Sequence, residues 1–259
     1  MHRLAVFLLA VLLLAGCERT PVVVGSKDTV QDRILGEMMA RLIEAHDLPV
    51  ERRMALGGSA DVFQALRAGN IDIYPEYTGT ALALLGAPPE TDRAAARERL
   101  AGPFAALGLE FLQPFGFDSS YVVVTRRALA RVEGIDDIGD LAGRANRLRL
   151  GVSEGYAERP LDGLSPFLER FGLDFRDVVM VPNSRREELY SMLIEEQIDL
   201  MIGFSTDPQI ADFGLVTVKA DRPFFPAYEA APLTTTDALQ RHPGLATALA
   251  PLAERLPAA

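Results

Sequence analysis

The chain has 259 residues, a formal net charge of −10, 49% hydrophobic residues and one cysteine. That length builds one large domain or two modest ones. The acidic balance argues against a nucleic-acid partner and leaves no basic patch for a membrane surface, and a lone cysteine excludes an internal disulfide.

Residues 1–16 read as a targeting segment. His2 and Arg3 precede an apolar run over residues 4–14 that is too short to span a bilayer. Leu14-Ala15-Gly16-Cys17 matches the bacterial lipobox, which predicts cleavage before Cys17 and lipidation of that residue. Multiple acyl chains at one site anchor a protein stably. Residues 22–24 then form a first strand. Asp28 or Thr29 caps a helix over 30–45, with Ile34, Leu35, Met38, Met39, Leu42 and Ile43 on its apolar face. A second strand is expected over 50–54, and Gly57-Gly58-Ser59 turns into a second helix. Ile71 and Ile73 flank Asp72 as in a short strand, which Pro75 should end. A loop with Tyr77, Thr78, Gly79 and Thr80 follows it. Such loops, beyond strand carboxyl ends, are where open α/β sheets bind ligands.

Further along, a charged helix over 92–100 is expected to stop at Gly102-Pro103, and residues 110–114 and 121–124 read as strands. The stretch around Gly116 and Ser119 marks a crossover between domains. Residues 148–152 open a second half. A helix over 164–171 ends at Gly172, a strand spans 178–181, and another helix begins near Ser184. Residues 215–218 and 223–232 form a return crossover, and 237–256 a final helical region. The expected domains are therefore 21–114 with 215–259, and 115–214, preceded by the signal over 1–17.

The two halves echo each other. The helix before Ile71-Asp72-Ile73 has a counterpart before Ile198-Asp199-Leu200. Tyr77 follows Ile71 by six residues, and Phe204 follows Ile198 by six. Gly25 precedes Ile71 by 46 residues, and Gly151 precedes Ile198 by 47. Two facing α/β halves with matched aromatic positions imply a cleft, and domain junctions are preferred ligand sites.

Gly25-Ser26-Lys27, Leu56-Gly57-Gly58, the run from Tyr74 to Thr80, Phe204-Ser205-Thr206-Asp207 and the segment from Phe224 to Pro232 together resemble the substrate-binding proteins of osmoprotectant ABC transporters. The resemblance covers nearly all of the mature chain. It implies a two-domain periplasmic-binding-protein fold of type II, α/β in class, with the ligand between lobes joined by two crossovers. It also implies capture of glycine betaine, choline or a related quaternary ammonium compound, delivered to a permease driven by an ATPase. A quaternary ammonium has no hydrogen to donate and is held by aromatic faces. The resemblance assigns that cage to Tyr77, Tyr121, Phe204 and Tyr228, and a ligand carboxylate to Lys27, Thr80 and Arg159. No catalytic residue, cofactor or metal is expected. The protein should be a monomer, lipid-anchored in a periplasm or at a cell surface. Relatives typically show a Thr-Glu-Gln run near the region that reads Asp28-Thr29-Val30-Gln31-Asp32 here, and they usually continue for a few more helical turns beyond Ala259.

The competing reading is an enzyme. Gly151-Val152-Ser153-Glu154-Gly155 matches the G-x-S-x-G elbow of serine hydrolases, with Asp207 and His242 following in the order that triad needs.

Overall fold

The computed structural model describes residues 20–220, 224–253 and 255–256. The signal, the lipobox and Cys17 lie outside the described residues.

Two five-stranded sheets make two lobes. The first sheet is built from β1 (Val22–Gly25), β2 (Val50–Arg53), β3 (Ile73–Tyr77), β4 (Leu109–Phe111) and β10 (Ala230–Thr235), in the order β2-β1-β3-β10-β4. The second holds β5 (Tyr121–Arg126), β6 (Arg149–Ser153), β7 (Asp177–Val181), β8 (Leu200–Phe204) and β9 (Leu215–Val218), in the order β7-β6-β8-β5-β9. In each, three strands run parallel and the strand from the crossover lies antiparallel to the third. Helices cover both faces of each sheet, so two apolar clusters form per lobe. The helix Val30–Ala45 buries Leu35, Met39 and Ile43, as its period requires, but Ile34 is 55% exposed.

The internal echo has a physical basis. A Cβ on Gly25 would stand 2.6 Å from Ile71 Cδ1, and one on Gly151 2.5 Å from Ile198 Cδ1. Each glycine thus clears space for the isoleucine that leads into the third strand. Asp72 Oδ2 accepts from the Val23 N–H at 2.7 Å, and Asp199 Oδ2 from the Arg149 N–H at 2.9 Å. Thr234 donates to the Asp72 carbonyl and Thr125 to the Asp199 carbonyl, both at 2.8 Å. Equivalent residues therefore join first strand, third strand and antiparallel strand in both lobes.

Several expectations change. Pro75 does not end its strand: β3 runs to Tyr77, and Pro75 sits opposite Pro232 of β10. Two facing prolines fit only a pair that exchanges no N–H bonds. On its other side β3 pairs with β1 only at Ile73, so no donor is missed at Pro75. The residues after Tyr77 are not a loop but the first turn of a helix, Thr78–Leu84. The helix Arg93–Ala106 runs through Gly102-Pro103. An interior proline costs about 3 kcal/mol. Burial of Phe104, worth about 2–3 kcal/mol, and its stacking on Phe63 and Phe111 offset that cost.

The lobe boundaries also shift. β9 pairs with β5, so residues 215–218 belong to the second sheet rather than to the return crossover. Phe115 and Phe117 pack into the first lobe's core, so the outgoing crossover follows them. The two crossovers run side by side. Ser119 N donates to the Tyr228 carbonyl at 3.0 Å, and Tyr228 N to Asp118 Oδ2 at 2.9 Å.

Candidate functional site

A cleft of about 500 Å³ lies where β1, β3, β6 and β8 present their carboxyl ends. Lys27, Tyr77, Thr80, Tyr121, Arg159, Phe204 and Tyr228 all line it. Each is delivered by a different local device.

Tyr77 is the last residue of β3. Its N–H donates to Glu76 Oε1 at 2.7 Å. The same fully buried carboxylate accepts from Lys27 Nζ at 2.5 Å and from the Tyr74 hydroxyl at 2.8 Å. Lys27 Nζ then stands 4.7 Å from the Tyr77 ring centroid. Phe204 is the last residue of β8, and its surroundings repeat that arrangement with other residues. Its N–H donates to Asp207 Oδ2 at 2.8 Å. Asp207 also accepts from Arg186 at 2.6 and 2.9 Å and from the Tyr190 hydroxyl at 2.6 Å. The Arg186 guanidinium stands 4.7 Å from the Phe204 ring centroid. In each lobe, one buried carboxylate fixes a ring through its backbone, a tyrosine hydroxyl, and a cation lying over that ring.

Tyr121 and Tyr228 come from the crossovers. Tyr121 opens β5 and touches Phe204 at 4.7 Å between centroids, Tyr156 at 4.9 Å and Tyr228 edge-on at 5.3 Å. Tyr228 is seated by the turn after Tyr77. Thr78 Oγ1 donates to the Ala227 carbonyl at 2.9 Å, and Thr78 N donates to the Glu229 carbonyl at 3.1 Å. A Cβ on Gly79 would meet the Ala227 carbonyl and the Tyr228 ring at 2.9 Å, so only glycine permits this approach. Much of the Tyr-Pro-Glu-Tyr-Thr-Gly-Thr run is therefore scaffolding for Lys27, Tyr77 and Tyr228. Thr80 lines the cleft from the first turn of the helix Thr78–Leu84.

Arg159 lies over Tyr228 at 5.4 Å and Tyr121 at 5.8 Å. It pairs side-on with Asp162, Nε to Oδ1 at 2.8 Å and Nη2 to Oδ2 at 2.7 Å. That geometry leaves Nη1 directed away from Asp162. The Tyr228 hydroxyl also donates to Asp162. Burial opposes the charge on Arg159, but the Tyr228 and Tyr121 phenols and Asp162 hold the guanidinium protonated. Burial likewise raises the phenols of Tyr77, Tyr121 and Tyr228, so all three present neutral rings. The cleft offers aromatic faces suited to a cation, and each already carries one of the protein's own.

Three contributors escaped sequence reading as site components, Arg186, Asp207 and Asp32. The anchoring acid precedes Tyr77 by one residue but follows Phe204 by three, so no shared spacing announces it. Asp32, the third, enters through the helix that begins at Val30.

The hydrolase constellation does not assemble. Ser153 has ordinary extended backbone, φ −83° and ψ 151°, and caps the short helix Glu154–Ala157 by accepting from Tyr156 N. Asp207 is committed to Arg186, Tyr190 and Phe204. His242 lies against Arg241 at 3.1 Å and Asp72 at 3.8 Å, at the start of β3 rather than its end.

Comparison with known proteins agrees with this geometry. Residues 20–259 match the sequence profile of the substrate binding domain of ABC-type glycine betaine transport systems. The chain is 30% identical to the carnitine transport binding protein OpuCC of Listeria monocytogenes, over 91% of this chain and 77% of that one. It is 30% identical to a glycine-betaine-binding protein of Pseudomonas aeruginosa, over 90% of this chain and 77% of that one. A crystal structure of a glycine betaine/carnitine/choline ABC transporter protein superposes with a TM-score of 0.72 at 28% identity, covering 92% of this chain and 88% of that one.

Proposed function

The chain belongs to the family of substrate-binding domains of ABC-type glycine betaine transport systems, and from that premise we propose that its interlobe cleft captures a quaternary ammonium solute. It presents that solute, outside the cytoplasm, to the transporter's permease. The observation that supports this reading is the pair of anchored rings, Tyr77 and Phe204, at matching strand ends of the two lobes, with Tyr121 and Tyr228 between them. The trimethylammonium head rests on these rings, and closure removes it from water. A desolvated cation–π contact is worth about 2 kcal/mol. Where the ligand is a betaine, the Nη1 side of Arg159 takes its carboxylate, and Lys27 adds charge from the opposite lobe although its ammonium is held by Glu76. No bond is made or broken, and Ser153 acts only as a helix cap. Cys17 tethers the mature chain to the membrane through lipid.

Titration calorimetry against glycine betaine, carnitine, choline and dimethylglycine tests the reading. Binding of the first three, with marked weakening when one methyl is removed, is the expected result. A protein indifferent to methylation of the nitrogen would not be a quaternary ammonium receptor.

A further inference from the structure

The cleft contains more carboxyl groups than its own cations match. Lys27 pairs with Glu76 at 2.5 Å, Arg159 with Asp162 at 2.7 Å and Arg186 with Asp207 at 2.6 Å. Asp32 is a further acid beside Tyr77, and no cation forms an ion pair with it among the described residues. It lines the cleft, is 3% exposed, and accepts from the Thr29 hydroxyl at 2.5 Å through Oδ2. Its Oδ1 is buried without a hydrogen-bond partner. An unmatched buried carboxylate oxygen is costly unless something compensates it.

From this juxtaposition we propose that Asp32 is the counter-ion of the bound ammonium group at the Tyr77 end of the cleft. This role rests on the quaternary ammonium reading and deepens it: it names the carboxylate that faces the ligand's positive charge. The groups facing Asp32 are Lys27 from the end of β1, Glu76 and Tyr77 from β3, and Thr29 on its own helix. Lys27 acts on Asp32 by charge but makes its ion pair with Glu76, so it compensates Asp32 only in part. The Tyr77 phenol interacts by hydrogen bonding with the Asp32 carboxyl, so a cation on the Tyr77 face is also next to that carboxylate. A quaternary ammonium fits because it brings charge without needing an acceptor of fixed direction. Burial raises the Asp32 carboxyl above the usual range, while Lys27 and Thr29 pull it down, so falling pH should discharge it before the exposed acids.

The test uses choline, which carries the cation without a carboxylate, and glycine betaine, which carries both. Asp32→Asn should weaken choline at least about tenfold, and glycine betaine less, because Arg159 still holds its carboxylate. Asp32→Glu, which keeps the charge, should retain more choline affinity than Asp32→Asn. Wild-type choline affinity should fall as pH drops from about 8 toward about 4, and that fall should be absent or reduced in Asp32→Asn. If Asp32→Asn does not fold, the wild-type pH profile decides, and a flat profile overturns the proposal. A wild type that binds both probes, with Asp32→Asn binding both equally well, overturns the role of Asp32 alone. A wild type that binds neither probe removes the quaternary ammonium reading and this role with it.

Discussion

Arg159 shows why single truncations at this site need a stability control. Its partner Asp162 has a side chain only 2% exposed and also accepts from Tyr228. Arg159→Ala leaves that carboxylate buried and unpaired, a defect that costs about 3–5 kcal/mol. The variant should melt well below wild type, and its lost binding of glycine betaine would then mix two causes. Arg159→Gln with Asp162→Asn keeps both hydrogen-bonding groups and removes both charges. This pair should recover most of the melting temperature yet still bind glycine betaine weakly, while choline is little affected. Equal losses for the two ligands in the stable double variant would mean that Arg159 organises Tyr121 and Tyr228 rather than the carboxylate. Tyr121→Ala is the complementary change. It removes the ring that meets Phe204, Tyr228 and Tyr156, so it should weaken both ligands about tenfold or more.

Among the elements, β6 with its following helix is the most constrained. A Cβ on Gly151 would stand 2.5 Å from Ile198 Cδ1 and 2.9 Å from Leu189 Cδ2. Overpacking of this kind costs about 1–3 kcal/mol. Gly151→Ala should therefore lower the urea midpoint, and adding Ile198→Val, which deletes the clashing Cδ1, should restore part of the loss. Full additivity of the two changes would rule out the contact as the cause. The loop after β2 is strained in another way: Ala55 has φ +58°, in the left-handed region. Ala55→Gly relieves about 1 kcal/mol of that strain, and a raised melting temperature is the expected reading.

For the whole molecule, the question is how the lobes close. Gln31 of the first lobe donates to Thr206 of the second at 3.4 Å, and Ser119 of the outgoing crossover bonds both, at 3.2 and 2.8 Å. Two antiparallel crossovers join the lobes beneath this bridge. Hinge closure around a ligand between lobes is a standard transition. Small-angle scattering should show a smaller radius of gyration with saturating ligand, and Gln31→Ala should enlarge the ligand-free radius without changing the bound one. An identical radius in all four states, with binding proven by calorimetry, would exclude closure by hinge bending. At the membrane, Cys17→Ser should release the protein from the membrane fraction. A wild type already wholly soluble would remove the anchor.

The sequence by itself determined the two-lobed α/β architecture. Its signals are local: helical and strand periods, a capping Thr29, and glycines 46 and 47 residues ahead of matched isoleucines. Tyr77 and Phe204 stood out in the repeated spacing from Ile71 and Ile198, whereas Tyr121 and Tyr228 were pointed to only by the family resemblance. Only the tertiary structure decided what holds those rings. Glu76 and Asp207 do equivalent work from different sequence offsets, and Arg186 reaches Phe204 from just ahead of the helix before β8, whereas the cation over Tyr77 is Lys27 at the end of β1. It also decided that β9 joins the second sheet and that Pro75 lies within a strand. Both are questions of which backbone groups meet across long separations, which local patterns do not encode. The same holds for Asp32, whose burial beside Tyr77 and Lys27 follows from how the helix from Val30 packs against β1 and β3.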